Sequence, residues 1–214
     1  MKEPIFAFKT FLNCLIIGMV ILSFAGCATM KKEECLTADW YSIGYEDGAK
    51  GYKVSRISNH RKACAKFGVT PDLQMYQSGR LEGLQEYCTP QKGYKLGLSG
   101  RSYNHACQGK LEEPFQMAYN SGRDIYLFKK DLSKEERHLD QLNQQMAELK
   151  DHIRKKESEL SPNNTDKNTK MILDEIRYLD RKKRKLRYSI IRQEDLINEM
   201  HHTLSDMKTQ SWYK

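Results

Sequence analysis

From residue 128 to residue 207 the chain has no glycine, and its apolar residues recur at a spacing that requires a partner helix. Leu132, Leu139, Met146, Ile153 and Leu160 repeat every seven residues, with Leu142 and Leu149 at the intermediate places. A seven-residue repeat drawn on a helix makes one narrow apolar stripe that stays wet unless a second helix covers it. Ser161-Pro162-Asn163-Asn164 interrupts the stripe with turn-forming residues, and the pattern then resumes. Ile176, Ile190, Ile197 and Leu204 hold one set of seam places, and Ile172, Leu179, Leu186, Met200 and Met207 hold the other. Lys156, Lys183 and Gln193 stand in the seam as polar exceptions. The pattern predicts an antiparallel helical hairpin over residues 128–214. A turn centred between Asn164 and Thr165 sets Leu160 against Thr169, Leu132 against Ile197 and Ile125 against Leu204. Traced backwards, the stripe keeps Phe128, Ile125, Ser121 and Ala118 until Pro114, a residue suited to a first turn. The first helix is therefore expected to run unbroken from about Pro114 to Leu160, about 68 Å at 1.5 Å per residue. The same register brings Trp212 beside Met117.

Upstream, residues 35–127 carry all but two of the glycines, in a recurring phrase. An aromatic residue, two others and a glycine appear as Tyr41 to Gly44, Tyr76 to Gly79, Tyr94 to Gly97 and Tyr119 to Gly122. Gly48, Gly83 and Gly100 add a further small place a turn later. Glycines three or four apart share a helix face, and without side chains they let another backbone come close while the tyrosine covers the edge. Short helices packed through glycine faces are expected; the alternative makes each glycine only a helix end. The copies are too unevenly spaced for a solenoid. Asp39, Thr70 before Pro71 and Thr89 before Pro90 suit helix starts, and Phe67-Gly68 suits a helix end. No run alternates long enough to argue for a sheet, so the fold class is all-α.

The phrases Asp39-Trp40-Tyr41-x-x-Gly44-Tyr45-x-Asp47-Gly48, Tyr76-x-x-Gly79-Arg80-x-x-Gly83-Leu84-x-x-Tyr87-Cys88-Thr89-Pro90 and Gly93-Tyr94-x-x-Gly97-x-x-Gly100-x-x-Tyr103 resemble the bacterial lipoprotein family called domain of unknown function 2799. The resemblance spans about residues 35–127. It implies a lipidated, cysteine-paired envelope domain and brings no activity with it.

The amino end is read in the same direction. Lys2 and Lys9 precede an apolar run, and Phe24-Ala25-Gly26 leads into Cys27. This resembles a bacterial lipoprotein signal, with Phe24 where leucine is usual. The resemblance implies that residues 1–26 are removed, that Cys27 receives a diacylglycerol on its thiol, and that its new amino group is acylated. An uncleaved membrane anchor is the alternative, although roughly 18 apolar residues are usual for a span. Residues 27–34 then form a lipidated tether, and Ala28 after the cysteine resembles outer-membrane sorting.

Compartment governs how charge and cysteine are read. The chain carries 36 Lys and Arg against 28 Asp and Glu, a balance that in a cytosolic protein would invite nucleic acid. An exported chain meets lipid headgroups, acidic polymers and envelope proteins instead, so no nucleic-acid partner is expected. Cys14 leaves with the signal, and Cys35, Cys64, Cys88 and Cys107 remain for two disulfides. Three connectivities are open, and pairing in chain order, Cys35 with Cys64 and Cys88 with Cys107, is favoured. Their gaps fit no zinc motif, and no metal or cofactor beyond the lipid on Cys27 is expected.

Candidate chemistry is sparse. His60 and Cys64 share a helix face as a base and thiol would, but the disulfide role of Cys64 is favoured. Adjacent His201 and His202 point apart and suit a surface. Glu46, Asp47 and Glu82 offer carboxylates for glycan cleavage only if the fold sets a pair at the right separation. The densest charge is Arg181-Lys182-Lys183-Arg184-Lys185-Leu186-Arg187, read either as a solvated helix face partly paired across the hairpin or as a site for lipopolysaccharide phosphates, anionic lipid or an acidic partner. The expectation for the whole is a non-enzymatic outer-membrane lipoprotein facing the periplasm, with an envelope protein partner on the coiled coil and an unassigned oligomeric state. A binding module for an acidic envelope polymer and a cell-wall glycan enzyme are the alternatives.

Overall fold

The computed structural model describes residues 30–211, so the signal segment, Cys27 and Trp212 lie outside the described residues. Among these residues every regular element is a helix, and no helix is long and apolar enough to cross a membrane. Two compact units divide between Tyr87 and Cys88.

The first unit contains α1 (Lys32–Leu36), α2 (Trp40–Ala49), α3 (Ile57–Ala65) and α4 (Leu73–Tyr87). Asp39 caps α2 by accepting from the amides of Tyr41 at 3.0 Å and Ser42 at 3.3 Å. The start of α4 differs from the sequence expectation. Thr70 and Pro71 stay outside the helix, and Asp72 caps it by accepting from the Met75 amide at 3.0 Å. A carboxylate facing the helix N-terminus gains from the dipole as well as the hydrogen bond, which favours the later start.

Helices α2 and α4 pack backbone to backbone. A Cβ built on Gly44 would lie 2.1 Å from the Tyr76 carbonyl oxygen, and one on Gly79 would lie 2.0 Å from that of Tyr41. Gly48 and Gly83 meet the Arg80 and Tyr45 carbonyl oxygens at 2.2 and 2.0 Å in the same way. Only glycine fits at these four places. Gly51 ends the α2 segment at φ +71°, and the Tyr87 ring lies over it. Behind this pair, Met30, Trp40, Ile57 and Tyr76 form a core around the Cys35–Cys64 disulfide.

The second unit contains α5 (Pro90–Leu98), α6 (Glu112–Ser158) and α7 (Asp166–Gln210). Its first part repeats the glycine pairing with different loops. Gly93 and Gly97 of α5 face the carbonyl oxygens of Phe115 and Tyr119, and Gly122 of α6 faces that of Tyr94. Gly100, at φ +72°, is covered by the Tyr126 ring as Gly51 is by Tyr87. Arg80 donates to the Tyr52 carbonyl, and Tyr119 donates to the carbonyl of Arg101, one residue past the matching glycine. The equivalent places are therefore Gly44, Gly48 and Gly51 with Gly93, Gly97 and Gly100. The register is one turn away from the one that aligning Tyr41 with Tyr94 suggests. The four phrases pair first with second and third with fourth, which is why the division between units falls inside 35–127. Cys88–Cys107 closes the second pair's loop.

Helix α6 runs without a break for 47 residues and α7 for 45, each about 70 Å long at 1.5 Å per residue. Pro114 sits in the first turn of α6, and Thr165 caps α7 by accepting from the Asn168 amide. The predicted seam is present as far as Ile153, with Leu132, Leu142 and Ile153 of α6 and Leu179, Ile197 and Leu204 of α7 buried, whereas Leu160, the last predicted place, lies past the end of α6 and is 37% exposed. Ile125, Leu132, Ile197 and Leu204 share one cluster with Tyr94 and Ala118, so the hairpin core and the glycine-faced core of this unit are continuous. Two polar seam residues are satisfied across it. The Gln193 amide donates to the Glu135 carbonyl at 3.1 Å and carboxylate at 2.9 Å, and Lys156 pairs with Glu175 at 3.1 Å.

Candidate functional site

The packed face of α2 carries one carboxylate, Asp47, between Gly44 and Gly48. It is 6% exposed, and its Oδ2 accepts from the Tyr76 hydroxyl of α4 at 2.8 Å and from Nε2 of His60 on α3 at 2.7 Å. His60 is itself 5% exposed, and its Nδ1 lies buried without a hydrogen-bond partner. The cluster thus joins three helices through one oxygen. Burial pushes the Asp47 carboxyl up, but the hydrogen bonds from His60 and Tyr76, with the nearby positive charge of Arg56, hold it below the usual carboxylate range. Burial first, and then the hydrogen bond to Asp47, push the Tyr76 hydroxyl far above its ordinary value. Arg80, also buried, spends its Nε and Nη2 on the Tyr52 carbonyl at 3.0 and 2.8 Å. In the second glycine-faced pair Leu96 and Phe115 take the places of Asp47 and Tyr76, so helix pairing does not itself require the polar cluster.

A cleft of about 420 Å³ opens beside the cluster, walled by Met30, Ala38, Ser42, Ile43 and Glu46. The three carboxylates considered for glycan chemistry have separate partners: Asp47 is in the cluster, Glu46 pairs with Lys50 at 2.9 Å, and Glu82 accepts from the Tyr41 hydroxyl. Glu82 is not in the wall of the cleft. Cys64 is bonded to Cys35, so the His60–Cys64 spacing holds no free thiol. His201 lies on the surface 3.5 Å from Glu136, and His202 is exposed beside it.

The basic run lies on α7. Lys183 turns into the seam, half-buried, and pairs with Asp180 one turn back. Arg181, Lys182, Arg184, Lys185 and Arg187 are exposed, and none takes part in an ion pair among the described residues. Among the described residues no ion pair joins this run to α6, where the facing residues 142–148 carry a single charge, Glu148, in a groove shared with Lys182 and Lys185. Lys182 instead rests its ammonium 4.8 Å above the Tyr178 ring.

The sequence pointed to the basic run and the cysteines but passed over the cluster. Its signal was a carboxylate on the face that Gly44 and Gly48 mark as buried, where a charge needs partners.

Residues 39–124 match the model of a family described as protein of unknown function (DUF2799), a span that takes in both glycine-faced pairs and stops short of most of the hairpin. No curated protein and no solved structure matches the chain.

Proposed function

We propose, for a chain whose residues 39–124 match the DUF2799 family model, a role as a non-enzymatic lipoprotein of the bacterial envelope. Acyl chains on Cys27 hold it at the periplasmic face of the outer membrane, and its hairpin is the surface that engages another envelope component. The observation that carries this reading is Met30. It is 6% exposed and packs with Cys35, Cys64 and Trp40, its sulfur 3.8 Å from Cys64 Sγ. Only Ala28 and Thr29 separate it from Cys27, a reach of at most about 11 Å. The folded body then sits at the lipid headgroups without a stalk. Three acyl chains make that attachment durable, since a single chain binds marginally.

Two disulfides support an oxidising compartment. The non-enzymatic part rests on the carboxylates: Asp47 is held by His60 and Tyr76, Glu46 by Lys50 and Glu82 by Tyr41, so no two of them stand as the free pair that glycan cleavage uses. The unbroken α6 supports a stiff binding arm, because a partner can bear on the hairpin without a hinge absorbing the contact. A photo-crosslinking residue at Asn163, in the hairpin turn, or at Tyr188 should form a covalent adduct with an envelope component in intact cells. No adduct from either position would contradict the interaction role.

A further inference from the structure

The outer strip of α7, opposite its seam, is cationic and aromatic at once. At 100° per residue, Arg181, Arg184, Lys185, Tyr188 and Arg192 fall on one strip, and all five are exposed. Tyr188 is the most exposed large hydrophobic residue of the described chain at 69%, with Ile191 beside it at 44%. From Arg181 to Gln193 the helix contains no acid. Of the acids that border it, Asp174 and Asp180 are taken by Arg177 and Lys183, Glu148 lies in the groove beside Lys182 and Lys185, and Glu194 and Asp195 close the strip at its C-terminal end.

We infer that this strip docks on a bilayer surface bearing anionic phosphate headgroups. The cations supply the charge complement, which falls off within a Debye length of such a surface. Tyr188 and Ile191 decide between a membrane and other anions. A soluble polyanion would leave both in water, whereas a bilayer interface takes a tyrosine ring at headgroup level and buries an aliphatic side chain just beneath. A protein partner fits less well, because the centre of a protein interface is depleted of charge and this strip sets four cations around one ring. The inference deepens the envelope reading and rests on it for the presence of such a surface. Its test reads the strip whatever is attached to Cys27.

The full chain is mixed with phosphatidylcholine vesicles, with or without phosphatidylglycerol, and pulsed with an amine-reactive label read by mass spectrometry. Lys182 and Lys185 should label several-fold more slowly on the anionic vesicles, with Lys155 and Lys170 unchanged and the protection lost in high salt. Neutralising Arg181, Arg184 and Lys185 to Gln should lower vesicle affinity about fivefold for each charge removed. Tyr188→Ser should reduce protection by vesicles and leave protection by soluble polyphosphate unchanged. Equal labelling on both kinds of vesicle overturns the inference. Equal protection by polyphosphate and vesicles, untouched by Tyr188→Ser, overturns the bilayer in favour of a soluble polyanion.

Discussion

Asp47 shows how one side chain can hold three helices. Its carboxylate satisfies Tyr76 and His60 where water has little access, so removing it leaves two buried donors without an acceptor. Asp47→Ala should destabilise the first unit by about 3 kcal/mol. The pH dependence follows from the direction of its shift. The folded carboxyl titrates below its ordinary value while the unfolded one titrates at about 3.9, so its contribution is complete above that pH and is lost as pH falls through the folded value. Denaturant unfolding between about pH 4 and pH 2 should therefore steepen in the natural chain relative to Asp47→Asn. Identical slopes would remove Asp47 as a source of acid sensitivity. In the sequence Asp47 read as one of three carboxylates near glycines, because nothing local gave the position of His60 on another helix. A residue's partners across the chain are set by topology, and one sequence does not print them.

At the scale of the element, glycine and leucine patterns do different work. The heptads of α6 and α7 were legible because a stripe repeated over many turns has one solution, and Leu132 and Ile197 share a cluster as the register requires. The glycine faces were legible as faces, but which face met which depended on loops of unequal length. Gly79→Ala tests the contact itself. Alanine favours the helix by about 1 kcal/mol, yet its methyl would sit 2.0 Å from the Tyr41 carbonyl oxygen, so the helices must part and a net loss of about 2 to 3 kcal/mol is expected. Gly68→Ala is the control. It meets nothing within 4 Å and bears only the strain of φ +73°, about 1 kcal/mol. Equal losses at the two positions, measured by thermal or denaturant unfolding, would mean that the glycine face is not what joins α2 to α4.

At the scale of the whole molecule, the described residues form two glycine-faced pairs, each with its own disulfide, the second extended into a hairpin. Cys35–Cys64 closes a separation of 29 residues and Cys88–Cys107 one of 19, and losing either should cost about 2 to 5 kcal/mol. Thiol labelling of the denatured, unreduced mature protein should find no free thiol, and two or more reactive thiols would contradict the pairing. Helix content was plain from the sequence. The repeat of the pair was hidden because Asp47 and Tyr76 have become Leu96 and Phe115, and the loops between matching glycines differ in length. The proposed function depends on lipid attachment at Cys27, and Met30 is bound into the core only three residues beyond it in sequence. The direct measurement is the intact mass and amino-terminal peptide of the protein recovered from bacterial membranes. A chain beginning at Cys27 and carrying a diacylglyceryl group and an amide-linked acyl chain is the result this account predicts. A chain that retains residues 1–26, or one that begins at Cys27 with a free thiol, would contradict it.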